Sequence, residues 1–198
     1  MVILRKLYAK SLGMEYSVRP TRAELEKVKS IIENAVDSYS YSLDIENPEI
    51  LLSWQRTEES FSVLEVKEKS IIVAVNPDAD DLGDAHDRIL TALIELEFME
   101  KMEHPEISFK WQELLKFAYT ALKRQEILGK EPEASEIVAE NWEYIRDQLG
   151  QRMTEYDKFY YMNTLMIGES LSKCFEVENP EELIGFTKSD VEAAGEKL

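Results

Sequence analysis

The sequence predicts an α+β fold dominated by helix, and three observations carry that prediction. Apolar residues recur at helical spacing over most of the chain. Two β-branched runs, "SFSVLEV" and "SIIVAVN", stand side by side in the first half. Only seven Gly and six Pro interrupt 198 residues, which leaves little room for long linkers. A chain of this length can build one well-formed core, so a single domain over residues 1–198 is expected.

The first segment, residues 1 to about 19, is basic. Residues 1–30 hold seven Lys or Arg against three acids, which leaves the remainder at −21 within a net charge of −17. Leu4, Leu7, Tyr8 and Leu12 fit one helical face, with Arg5, Lys6 and Lys10 elsewhere, as in an interfacial or partner-docking helix. An edge strand, or a helix docked on the acidic body, accounts for the same residues and carries more weight. An acidic body repels phosphate backbones, so nucleic acid is not an expected partner.

Thr21 and Glu24 have capping-box spacing, and Leu25, Val28, Ile32, Ala35 and Val36 follow on one helical face. Pro48 in "DIENPEILLSW" ends that pattern. The two β-branched runs, joined by "KEK", predict a small β-hairpin or sheet near residues 61–76 packed on a helical core. Ile72 to Val75 is apolar enough for a strand covered on both faces. "PDADDLGDAH" turns the chain into "ILTALIELEFMEKMEH". A further helix runs from about Pro105 to Gly129, with Pro105 at its first position. Helices are expected over 132–150 and from Thr154, then two short ones, the first behind Asn179 and Pro180, the second behind a Ser189–Glu192 capping box.

The candidate chemistry is mostly eliminated. His86 and His104 are 18 residues apart, about 27 Å along one helix, too far to share an ion. Neither has a carboxylate at the spacing of a di-iron motif. His86 reads as a surface residue and His104 as a cation at a helix C-terminus. Asp78, Asp80 and Gly83 begin like a calcium loop, but Leu82 and Ile89 stand where ligands are required, so a solvated turn with capping Asp residues is expected. No phosphate-binding glycine motif and no G-x-S-x-G is present. Cys174, the only cysteine, reads as a small core hydrophobe. No metal, no cofactor and no catalytic residue is assigned.

Within "ILTALIELEF", Ile89, Leu93 and Leu96 share one face and Leu90, Ile94 and Phe98 a second, while Asp84, Arg88, Thr91 and Glu95 form a narrow polar stripe. Glu97 falls between the apolar faces. Once buried it needs a cationic or hydroxyl partner, or a raised pKa. Glu95 and Glu97 are therefore the candidate functional acids, although a central core helix explains the segment without them. Tyr39, Tyr41, Tyr156, Phe159, Tyr160 and Tyr161 are candidates to line an interface or an aromatic pocket.

The stretch from "SFSVLEV" through "ILTALIELEF" is similar in plan to the core of zincin metallopeptidases, in which an edge strand and an Asn-Pro-like turn lead into the helix bearing H-E-x-x-H. Laid on that pattern, Glu95 falls on the general-base glutamate, while Ile94 and Phe98 fall on the two zinc-binding histidines. Hydrocarbon cannot replace imidazole. The resemblance covers about 40 residues and implies a zincin-like fold without peptidase activity. It places no third ligand, since Glu136, Glu140 and Glu169 are equal candidates.

No apolar run approaches the roughly 20 residues of a membrane span, and the start of the chain lacks a signal-peptide pattern. The reading is a cytoplasmic, non-catalytic interaction or scaffold protein acting through a protein partner or self-association. Two alternatives stay open: a metal-dependent hydrolase with a carboxylate-rich site, and a small-ligand binder with an aromatic pocket.

Overall fold

The computed structural model describes residues 3–6, 21–39, 41–45, 48–54, 60–67, 69–76, 78–79, 81–83, 85–102, 104–129, 172–173 and 175–195. The chain divides into two compact units, Met1–Glu100 and Lys101–Leu198. The fold is a helical α+β fold, as the sequence predicts.

The first unit is built on strands β1 (Ile3–Lys6), β2 (Glu49–Trp54), β3 (Phe61–Lys67) and β4 (Ser70–Val75), with helices α1 (Arg22–Tyr39) and α2 (Ala85–Lys101). The strands form one sheet in the order β1-β2-β4-β3. β3 and β4 are the expected hairpin, antiparallel, with Phe61 opposite Val75 and Lys67 opposite Ser70. Lys69 turns the chain between them at φ 65.

The sheet is larger than the expected hairpin. β2 runs parallel to β4, with Ile50 opposite Ile71 and Leu52 opposite Val73. β1 runs parallel to β2. Parallel neighbours need a crossover, and α1 supplies it between β1 and β2. "EILLSW" hides its strand character because an interior strand is covered on both faces and loses alternation. Ile50, Leu52, Ser53 and Trp54 are all buried. Of the readings of the basic N-terminal segment, the edge strand describes residues 3–6. β4, which precedes Asn76, is an interior strand; the antiparallel edge is β3.

α1 starts on its capping box. Thr21 Oγ1 accepts from the Glu24 N–H at 3.3 Å, and Glu24 accepts from the Thr21 N–H and hydroxyl at 2.6 Å each. Val28, Ile32, Ala35 and Val36 are its buried face. These are four of the five apolar positions expected.

In the second unit, α3 (Phe109–Leu128) ends on Gly129, whose φ of 62 and N–H bond to the Gln125 carbonyl form a left-handed cap. The helix begins four residues beyond the expected Pro105. That proline lies in a turn closed by the Ile107 N–H on the His104 carbonyl, and Ser108 precedes the first helical residue. α4 (Pro180–Ile184) follows Asn179, whose side chain accepts from the Glu181 N–H at 3.0 Å. α5 (Lys188–Gly195) is capped by Thr187 and Asp190. The expected Ser189–Glu192 box is thus displaced by two residues. Thr187 outcompetes Ser189 because Asp190 takes both its N–H and its hydroxyl, at 2.8 and 2.6 Å. The helices expected over 132–150 and from Thr154 fall outside the described residues, but for its last few.

Candidate functional site

α2 carries the acids that sequence reasoning selects. Leu, Ala, Glu and Met dominate it, all strong helix formers, and Asp87 and Lys101 lie at the ends the helix dipole favours. Every residue from Thr91 to Phe98 is buried, so no side of this stretch faces water. The polar stripe expected at Thr91 and Glu95 is therefore internal rather than solvated. Thr91 turns its hydroxyl back onto the Asp87 carbonyl at 3.1 Å, a local use of the donor. Asp84, the first member of the stripe, lies outside the described residues.

Glu95 and Glu97 are each 1% exposed. Residues two apart on an α-helix point about 200° apart, so the two carboxylates diverge. Glu97 Oε1 accepts the backbone N–H of Asp44 at 2.8 Å. One partner of Glu97 is thus a main-chain amide from the segment after α1, a donor that sequence reasoning did not name. A carboxylate makes a strong acceptor for such an amide, which would otherwise go unmet beside a buried helix.

The same segment touches α2 near its other end. The Tyr39 hydroxyl lies 3.0 Å from His86 Nδ1, and the rings meet edge to face with centroids 5.1 Å apart. His86 is thus half-buried and engaged, not the surface residue expected. His86 and Glu97 are 11 residues apart, about 16 Å along the helix. Tyr39 and Asp44 thereby pin the exit of α1 along α2 at two points. Between them Tyr41 is 95% exposed.

The other histidine does not lie on the last turn of the helix. α2 ends at Lys101, and His104 lies beyond it with Nδ1 3.0 Å from Glu106. The Glu106 carboxyl is held below its ordinary range by its own backbone N–H and by His104. The Asp-rich turn closes on itself: Asn76 accepts from the Asp78 N–H at 3.0 Å and Asp81 from the Gly83 N–H at 2.7 Å. Among the described residues no group of three or more His, Cys, Asp or Glu could hold a metal ion. Ile94 and Phe98 are 0% and 2% exposed.

No family model, curated protein or solved structure matches the chain. Tyr156, Phe159, Tyr160, Tyr161, Cys174 and the later acids Glu136, Glu140 and Glu169 lie outside the described residues. No described helix is long and apolar enough to cross a membrane.

Sequence reasoning missed a buried polar row on α3. Lys116, Thr120, Lys123 and Arg124 are each less than 10% exposed and fall within about 100° of the helix circumference. Lys116 is held by Glu113 one turn back at 2.8 and 2.9 Å. A stripe of Lys, Thr and Arg on a helix ordinarily reads as a solvated face. One signal was available: Leu114, Leu115, Phe117, Ala118, Tyr119, Ala121 and Leu122 already cover most of the remaining circumference, as expected of a helix enclosed all round.

Proposed function

We propose that this chain is a non-catalytic scaffold whose first unit is a zincin-like core with the peptidase centre replaced by hydrocarbon, and which works through a protein interface in the cytoplasm. One observation carries the reading. The helix where the family keeps its metal presents Ile94 and Phe98 to the interior, and beside them Glu97 is engaged by the Asp44 amide. A carboxylate used to satisfy main chain in a dry core is a structural group. The element order gives part of the support: the β3–β4 hairpin, with β3 as the antiparallel edge, leads through the Asn76 turn into this helix, although the strand that precedes the helix is the interior β4. The interface candidates are the basic N-terminal segment, complementary to an acidic partner or a second copy, and the tyrosine-rich stretch around Tyr160.

The test is metal content per chain by plasma mass spectrometry, on protein purified without a metal-affinity tag, with Glu95→Gln alongside. The expected result is a folded protein with no stoichiometric metal in either form. About one equivalent of zinc, iron or manganese that drops in the variant would replace the scaffold by a carboxylate-ligated enzyme.

A further inference from the structure

In the second unit, three donors meet on one carboxylate. Glu181, the second residue of α4, has Oε1 3.2 Å from Lys101 Nζ, 3.3 Å from the Tyr119 hydroxyl and 3.7 Å from Lys123 Nζ; Lys101 also reaches Oε2 at 3.4 Å. Two of the three donors are buried, Tyr119 at 0% exposed and the Lys123 side chain at 10%. The carboxylate itself reaches water, with the Glu181 side chain 46% exposed. Glu126 also holds Lys123, at 3.0 Å.

Two ammonium groups and a hydroxyl around one oxygen are the donor set that binds a small oxyanion. The carboxylate that fills it comes from a five-residue helix attached by the Asn179 cap and two buried side chains, Pro180 and Leu183. Such a plug is short and half in water. A tethered plug competes at an effective concentration in the millimolar range, so a free ion gains entry chiefly when the plug is removed.

We infer that Lys101, Tyr119 and Lys123 form a seat for a small oxyanion, a phosphate or a carboxylate, which Glu181 occupies in cis. The two lysines supply charge, and the tyrosine hydroxyl donates to an oxygen of the ion. A ligand enters by displacing Glu181 and therefore loosens the hold on α4. This site takes only Lys101, the last residue of α2, from that helix and uses neither Glu95 nor Glu97, so its failure leaves the scaffold reading untouched.

The full chain carrying Glu181→Ala is titrated with inorganic phosphate by calorimetry, against wild type and at ionic strength matched with chloride. The expected result is one phosphate bound at least ten-fold more tightly by the variant than by wild type, with that gain lost when Lys101→Met is added. Acetate in parallel separates a general oxyanion seat, which takes both ions, from one that selects phosphate. A variant that keeps wild-type circular dichroism and binds phosphate no better than wild type overturns the inference. Should Glu181→Ala fail to fold, Glu181→Gln keeps the shape without the charge. Phosphate is then expected to slow acylation of Lys101 and Lys123 several-fold by mass spectrometry, and unchanged rates overturn it.

Discussion

α2 and α3 are both buried helices with charged residues on them, and they accommodate that charge in opposite ways. α2 buries two glutamates, and one of them, Glu97, accepts a hydrogen bond from a main-chain amide. α3 buries three cations, and side-chain carboxylates hold its two lysines: Lys116 by Glu113, Lys123 by Glu126 and Glu181. The difference teaches where each arrangement is vulnerable. An anion on a backbone amide depends on where the chain runs. A cation on a carboxylate depends on a second side chain that one mutation can remove.

The largest effect is expected on α3. Glu113→Ala takes a carboxylate from a lysine whose side chain is 5% exposed, and should cost about 3 kcal/mol in denaturant unfolding. Replacing both members with Leu should recover most of that loss, because a buried pair is worth little against good apolar packing. A double variant as unstable as the single one would mean that Lys116 serves something other than this pair.

A smaller cost is expected on α2. Glu97→Ala leaves the Asp44 amide unmet and should cost about 2 kcal/mol. Glu97→Gln retains an acceptor oxygen and should cost less than half of that. Equal losses would show that the charge, not the amide, is what Glu97 provides, and would erase the contrast with α3.

The smallest effect is at the exposed caps, which belong to neither buried set. The Glu24 carboxyl is held below its ordinary 4.5, first by the Thr21 hydroxyl and then by the Thr21 N–H. Asp190 is held below 3.8 by Thr187 in the same way. A carboxyl depressed in the folded state contributes stability above its unfolded value and loses it as pH falls through the folded value. Acid titration should therefore fray the N-terminus of α1 below about pH 4.5 and that of α5 below about pH 3.8, a loss that Thr21→Val reduces for α1 in amide-exchange measurements, since the N–H of residue 21 remains. Fraying undiminished by Thr21→Val would assign it to other carboxylates.

Local chemistry was legible wherever a signal and its response lie within one or two turns. The Thr21–Glu24 box, the buried face of α1, the Asn179 cap, the Gly129 cap and the β3–β4 hairpin all satisfy that condition. The α5 cap was misplaced by two residues because two hydroxyl–acid pairs, Thr187–Asp190 and Ser189–Glu192, satisfy the same spacing rule. The anomaly of Glu97 was legible as well, since an acid between two apolar faces marks itself. Its partner was not, because Asp44 contributes an amide that every non-proline residue carries.

The sequence by itself determined that this chain is a helix-dominated α+β protein, that α2 is enclosed, and that its Ile94 and Phe98 cannot ligate metal, because these follow from periodicity and side-chain chemistry. Only the tertiary structure decided that "EILLSW" is an interior strand, that Glu97 binds the main chain, and that the cations of α3 are buried. Burial and parallel pairing depend on what covers a segment, and the covering residues lie far away in the chain.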